Sequence, residues 1–179
     1  TTTTINLATS LAAIKKKTLI IDADPQSNAS TGVGIGYDSR EPSLYKIISS
    51  KKLDEKSIKK TIIPDLDIIT SSTDLAASEI ELVDYQDREK VLKSIIQQIK
   101  NYDFIIIDCP PALGLLTINA IVASHSVIIP LQCEFFALEG LSSLMKTIDI
   151  IKESFNPWLF IEGVLLTMVD KRNALSGIV

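Results

Sequence analysis

Two short apolar runs constrain this chain more than any other feature of it. Residues 18–21 read TLII and continue into Asp22-Ala23-Asp24, and residues 104–107 read FIII and continue into Asp108-Cys109-Pro110-Pro111. Neither run alternates polar with apolar residues, so each predicts a strand buried on both faces, the habit of parallel strands covered by helices. Residues 66–69, 126–131 and 160–166 supply three further runs of the same kind.

Between the runs lie segments of helical period. Residues 2–14 place Ile5, Leu7, Ala8, Leu11 and Ala12 at helix-compatible spacing, and Lys15-Lys16-Lys17 then sets positive charge where a helix C-terminus favours it. Residues 84–100, 113–122 and 138–154 read as helices as well. Strands alternating with helices predict an α/β fold: a doubly wound, mostly parallel sheet with helices on both faces. The polar stretch 37–60 predicts short helices over one sheet edge, with Lys46, Lys51, Lys52, Lys56, Lys59 and Lys60 on a solvated face.

At 179 residues the chain fits one domain, and no repeat, low-complexity tract or linker interrupts it. No apolar run approaches the roughly 18 residues of a membrane span. The start lacks the basic region and cleavage site of a signal peptide, which makes a cytoplasmic location the default. It also lacks Met, so the chain is expected to begin mid-protein or after processing. Cys109 and Cys133 sit in no CxxC or metal-ligand spacing and read as reduced core thiols. A net charge of -4 gives no global attraction to nucleic acid, so any DNA contact must come from a local patch. His125 reads as a surface residue, and Trp158 as packing at a sheet end.

Doubly wound sheets bind ligands beyond the carboxyl ends of their strands, which is where Asp22, Asp24 and Asp108 fall. A single strand-end aspartate is more often a turn or helix cap. Three gathered after apolar strands repel one another unless a cation sits among them, and Mg²⁺ held by carboxylates, waters and phosphate oxygens fits that need. The threonines that open the first helix stand where a phosphate-binding loop ends and its Ser or Thr reaches Mg²⁺. A capping role for one of them fits equally well.

Longer stretches then carry a resemblance. TTTTINLA at residues 1–8 is similar to the continuation of the ParA/Soj deviant Walker A motif, whose preceding part reads KGGVGK. DADPQSNAS at 22–30 resembles that family's DxDPQGNAT, with Ser27 replacing the usual Gly. Asp108-Cys109-Pro110-Pro111 resembles its Walker B ending. QCEFFALEGL at 132–141 resembles QCEYYALEGL, and TMVDKR at 167–172 resembles TMxDxR. The chain is thereby identified as a member of the ParA/Soj family of P-loop ATPases, a single incomplete domain over 1–179 truncated at both ends.

The resemblance implies roles. Thr1 supplies the Mg²⁺-coordinating hydroxyl, and Thr2 helps hold phosphate at the helix N-terminus. Asp24 orients or activates the attacking water, and Asp22 and Asp108 hold the Mg²⁺ shell through water. Residues 26–36, with Gln26 and Asn28, form a switch loop that answers the γ-phosphate. It further implies an ATPase that dimerises on ATP, binds DNA without sequence preference and meets a ParB-type partner at the nucleoid, with no membrane partner. Arg172 is the one visible candidate for a DNA contact. Without the glycine loop the chain itself is expected to neither bind ATP well nor hydrolyse it. The rival readings are a MinD-like regulator at a membrane surface and a dethiobiotin-synthetase-like ligase; a third is a degenerate scaffold that hydrolyses nothing.

Overall fold

The computed structural model describes residues 1–169. The Asp170-Lys171-Arg172 end of the last motif, including Arg172, lies outside the described residues. Internal contacts divide the chain into two units, Thr1–Ala123 and Ser124–Val179.

The first unit is built on a four-stranded sheet. In chain order its elements are α1 (Thr2–Ala13), β1 (Thr18–Asp22), α2 (Asn28–Gly32), α3 (Leu44–Ser50), β2 (Ile58–Lys60), β3 (Leu66–Ile69), α4 (Leu75–Glu81), α5 (Val91–Ile96), β4 (Phe104–Asp108) and α6 (Leu115–Ala123). The strand order is β2-β3-β1-β4. β1 runs parallel to β3 on one side and to β4 on the other. β2 is antiparallel to β3.

Alternate residues of β1 feed two cores. Leu19 and Ile21 face a cluster with Ile47 of α3, Leu75 of α4, Ile95 of α5 and Leu116 of α6. Ile20 faces the other side, where Ala8 and Ala12 of α1 and Ala29 of α2 pack against it. Small residues on α1 let that helix approach the sheet closely. The sheet is therefore covered on both faces, α1 and α2 on one and α3 to α6 on the other, which is the doubly wound arrangement expected.

The second unit contains β5 (Ser126–Gln132), α7 (Phe135–Ser154) and β6 (Phe160–Thr167). The two strands pair in parallel, from Ser126 opposite Phe160 to Gln132 opposite Thr167. α7 is the crossover between them and buries Ile148 and Ile151. Asn156 Nδ2 donates to Ser124 O at 2.7 Å, joining the turn after α7 to the turn before β5.

Three expectations need correction. The helix read over 84–100 is broken: 3-10 turns occupy Leu82–Asp84 and Arg88–Lys90, and only Val91–Ile96 is α-helical. Asp87 sits between them with φ of 56°, a left-handed residue that an α-helix cannot pass through. Full burial holds for β1 and β3, whereas β4, β5 and β6 are exposed or half-buried at most of their residues. Trp158 is 90 % exposed rather than packed at a sheet end. His125 is exposed, as expected, and both cysteines are free thiols.

Candidate active site

The connection from α1 to β1 is short, so the helix and the strand run in opposite directions. Twelve helical residues span about 18 Å and five strand residues about 16 Å. The first residues of α1 therefore return to the carboxyl end of β1. In the pairing of β1 with β4, Asp22 stands opposite Asp108. Two carboxylates thus share one rim of the sheet with Thr1 and Thr4.

Asp108 accepts hydroxyl hydrogen bonds from both threonines: Thr1 Oγ1 donates to Oδ2 at 2.8 Å and Thr4 Oγ1 to Oδ1 at 2.7 Å. Thr1 is the N-cap residue of α1, yet its side chain makes no capping bond. Its hydroxyl bonds to the carboxylate of Asp108 instead. Thr2 opens the helix with an exposed side chain.

Asp22 is engaged differently. Its Oδ2 accepts from Ser30 N at 2.8 Å and from Ser30 Oγ at 2.7 Å, and its Oδ1 accepts from Asp24 N at 3.3 Å. Burial pushes its pKa above the ordinary carboxylate value, the Ser30 bonds pull it back, and the charge of Asp108 raises it further. Asp24 heads a turn in which its Oδ1 accepts from Gln26 N at 2.9 Å and its carbonyl from Ser27 N at 2.9 Å. Asp22, Asp24 and Asp108 are 0 %, 7 % and 3 % exposed, so all three carboxylates are largely withdrawn from bulk water. Gln26 and Asn28, by contrast, are exposed along the loop.

Ser27 has φ of 57° in the left-handed region, where glycine is at ease and serine is not. That backbone requirement explains why glycine is usual at this place in the motif. Beside Asp108, burial pushes the Cys109 thiol up to about 12, and the neighbouring carboxylate adds to the effect.

Sequence reasoning named Asp22, Asp24, Asp108 and Thr1, and the structure brings them to one rim. It missed Thr4 and Ser30 as working side chains. Thr4 lies one helical turn after Thr1, a spacing that puts both hydroxyls on one face and was readable. Ser30 gave no such signal, because only the fold returns it to Asp22.

The aspartates and threonines at this rim offer oxygen, the donor type suited to Mg²⁺. Among the described residues, no group of three or more His, Cys, Asp and Glu side chains is arranged to hold a metal by itself. The set fits an ion that takes most of its ligands from phosphate and water.

Mostly parallel strands, helices on both faces, and acids and hydroxyls gathered at the strand ends define a class: doubly wound α/β proteins that bind ligands beyond the carboxyl ends of their strands. The AAA domain family model AAA_31 matches residues 1–161. The chain is 48% identical over 179 residues to the chromosome partitioning protein ParA of Caulobacter vibrioides, covering 98% of this chain and 67% of that protein. It is 50% identical over 177 residues to the sporulation initiation inhibitor protein Soj of Bacillus subtilis, covering 98% and 70%. Among solved structures, cobyrinic acid a,c-diamide synthase from Mycobacterium smegmatis, with bound ADP and magnesium, superposes with a TM-score of 0.91 at 31% identity, covering 99% of this chain and 73% of that one. The chain belongs to the AAA domain family and, within it, to the ParA/Soj partition proteins.

Proposed function

We propose that the full-length protein is a Mg²⁺-dependent ATPase of the ParA/Soj type that acts in chromosome or plasmid partitioning. The observation that carries this reading is the pair of hydroxyls, Thr1 and Thr4, donating to Asp108 at the rim where Asp22 and Asp24 also stand. A related protein of Treponema pallidum, 45% identical, is named a chromosome-partitioning ATPase.

In this reading Thr1 and Asp108 hold Mg²⁺, Thr1 through its hydroxyl and Asp108 through water, and Thr2 meets phosphate at the helix N-terminus. Bound there, Mg²⁺ supplies charge neutralisation for a phosphoryl group in transfer. Asp24 has one carboxylate oxygen fixed by Gln26 N and orients the attacking water with the other. Asp22, whose oxygens already accept three protein hydrogen bonds, adds its charge to the shell through water and holds the loop that carries Gln26 and Asn28. Residues 26–36 answer the γ-phosphate, and ATP drives homodimerisation, DNA binding without sequence preference and release by a ParB-type partner. Arg172 stays a proposed DNA contact, and the proposed location is cytoplasmic, at the nucleoid. Among the described residues, no helix is long and apolar enough to cross a membrane.

Asp24→Ala in the full-length protein tests the reading. Nucleotide binding is retained while ATP turnover falls by about 10²–10³-fold, the share a positioned proton acceptor supplies. Unchanged turnover would mean that Asp24 has no hydrolytic role. The 31% identity to the synthase favours a second reading, an ATP-dependent synthase or ligase. Turnover that rises with DNA and a ParB-type partner supports partitioning; turnover that needs a small acid supports the synthase.

A further inference from the structure

We propose that Ser30 is a positioning residue for hydrolysis: its hydroxyl, held between Asp22 and Ser71, fixes the segment that places Asp24. This inference rests on the ATPase reading above.

Ser30 is fully buried in α2. Its Oγ donates to Asp22 Oδ2 at 2.7 Å and accepts from Ser71 N at 3.1 Å. A hydroxyl with its donor and an acceptor site both engaged has one rotamer, so it fixes rather than fills. Ser71 lies two residues past the end of β3, and Asp22 ends β1. One side chain therefore ties α2 to the ends of two neighbouring parallel strands.

The consequence reaches Asp24 from two directions. Through the carboxylate, Asp22 Oδ2 is held by Ser30 while Oδ1 accepts from Asp24 N at 3.3 Å, so a rigid planar group sets the spacing between α2 and the Asp24 backbone. Through the chain, the turn from Asp24 to Ser27 runs into Asn28, the first residue of α2, and is closed by Ser27 N donating to Asp24 O at 2.9 Å. Both routes end at Ser30. Without its hydroxyl, Ser71 N–H loses its acceptor and Asp22 loses one of three donors. α2 is only five residues long and has little of its own to hold it in place.

A serine that merely fills space would lower stability and leave chemistry intact. A positioning serine lowers kcat, because a small displacement of a catalytic group costs far more in rate than in binding. The test compares wild type, Ser30→Ala and Ser30→Thr in the full-length protein, by steady-state ATP turnover with Mg²⁺ and by thermal melting. Ser30→Ala lowers kcat about tenfold with KM within about threefold, and Ser30→Thr, which restores the hydroxyl, recovers most of the loss. If Ser30→Ala does not fold, Ser30→Cys replaces it: it keeps the side-chain connectivity, weakens the donor and is expected to lower kcat several-fold.

Folded Ser30→Ala, or failing it Ser30→Cys, with wild-type kcat overturns the inference and leaves the ATPase reading standing. So does a kcat loss that Ser30→Thr leaves uncorrected, which marks a packing effect. Absence of turnover in the wild-type protein removes the ATPase reading, and this inference with it.

Discussion

β1 and β4 are near copies in sequence, TLIID against FIIID, and they lie side by side in register. Even so, every residue of β1 is buried, whereas β4 is sealed only at Asp108. Within the first unit, β1 has β3 on one flank and β4 on the other, and β4 is the last strand of the order β2-β3-β1-β4. The two terminal aspartates diverge in the same way. Asp22 turns to backbone N–H groups and Ser30 and holds the loop after β1, while Asp108 turns to the hydroxyls of α1. An apolar run ending in Asp encodes a strand and a carboxylate at its end. Neighbours in the sheet decide how deeply the strand is buried and what the carboxylate does.

The largest effect expected from this contrast is at the end of β4. With its thiol pushed up to about 12, Cys109 should react with iodoacetamide at pH 8 about a thousandfold more slowly in the folded chain than in urea, because the thiolate is the reacting form. Comparable rates in the two states would show that the end of β4 is open to solvent. Next come paired core truncations in the 179-residue chain at register partners, Ile20 of β1 and Ile106 of β4. Ile20→Ala is expected to cost about 3–4 kcal/mol and Ile106→Ala about 1–2, read from urea unfolding midpoints. Equal costs would erase the distinction between β1 and β4.

The aspartates themselves give a smaller contrast. Asp22→Ala strands the buried donors of Ser30 and Asp24 and should cost about 2–3 kcal/mol, against about 1 kcal/mol for Asp108→Ala, whose donors are threonine hydroxyls free to turn elsewhere. Thermal melts rank the two, and the reverse order would mean that Asp108 is the structural member of the pair. Smallest is Ser27→Gly, which relieves a left-handed serine and should raise stability by about 0.5–1 kcal/mol. A loss there would show that the Ser27 side chain contributes more than its backbone costs.

Much of this was legible before the fold was known. The five mainly apolar runs became β1, β3, β4, β5 and β6, because short stretches rich in Ile, Leu and Val have few other uses in an α/β chain. β2 went unread: three residues, two of them Lys, make a short charged edge strand, and Lys60 pairs with Asp67 across to β3 at 2.7 Å. The broken helix near Asp87 was hidden because Gln86, Arg88, Glu89 and Lys90 around it are ordinary helix formers, and no Gly or Pro marks the break. Asp22, Asp24 and Asp108 were readable as a group since each ends or follows a strand. Ser30 was not, for a contact between α2, β1 and the segment after β3 exists only once the sheet has formed.

The most direct test of the central claim is Mg²⁺-dependent binding of a fluorescent ATP analogue to the full-length protein, wild type against Asp108→Asn. If Thr1 and Asp108 form the cation side of a nucleotide site, Mg²⁺ tightens binding in the wild type, and the substitution weakens that Mg²⁺-dependent part by about tenfold or more. Identical affinities with and without Mg²⁺, or an Asp108→Asn protein indistinguishable from wild type, would contradict the claim.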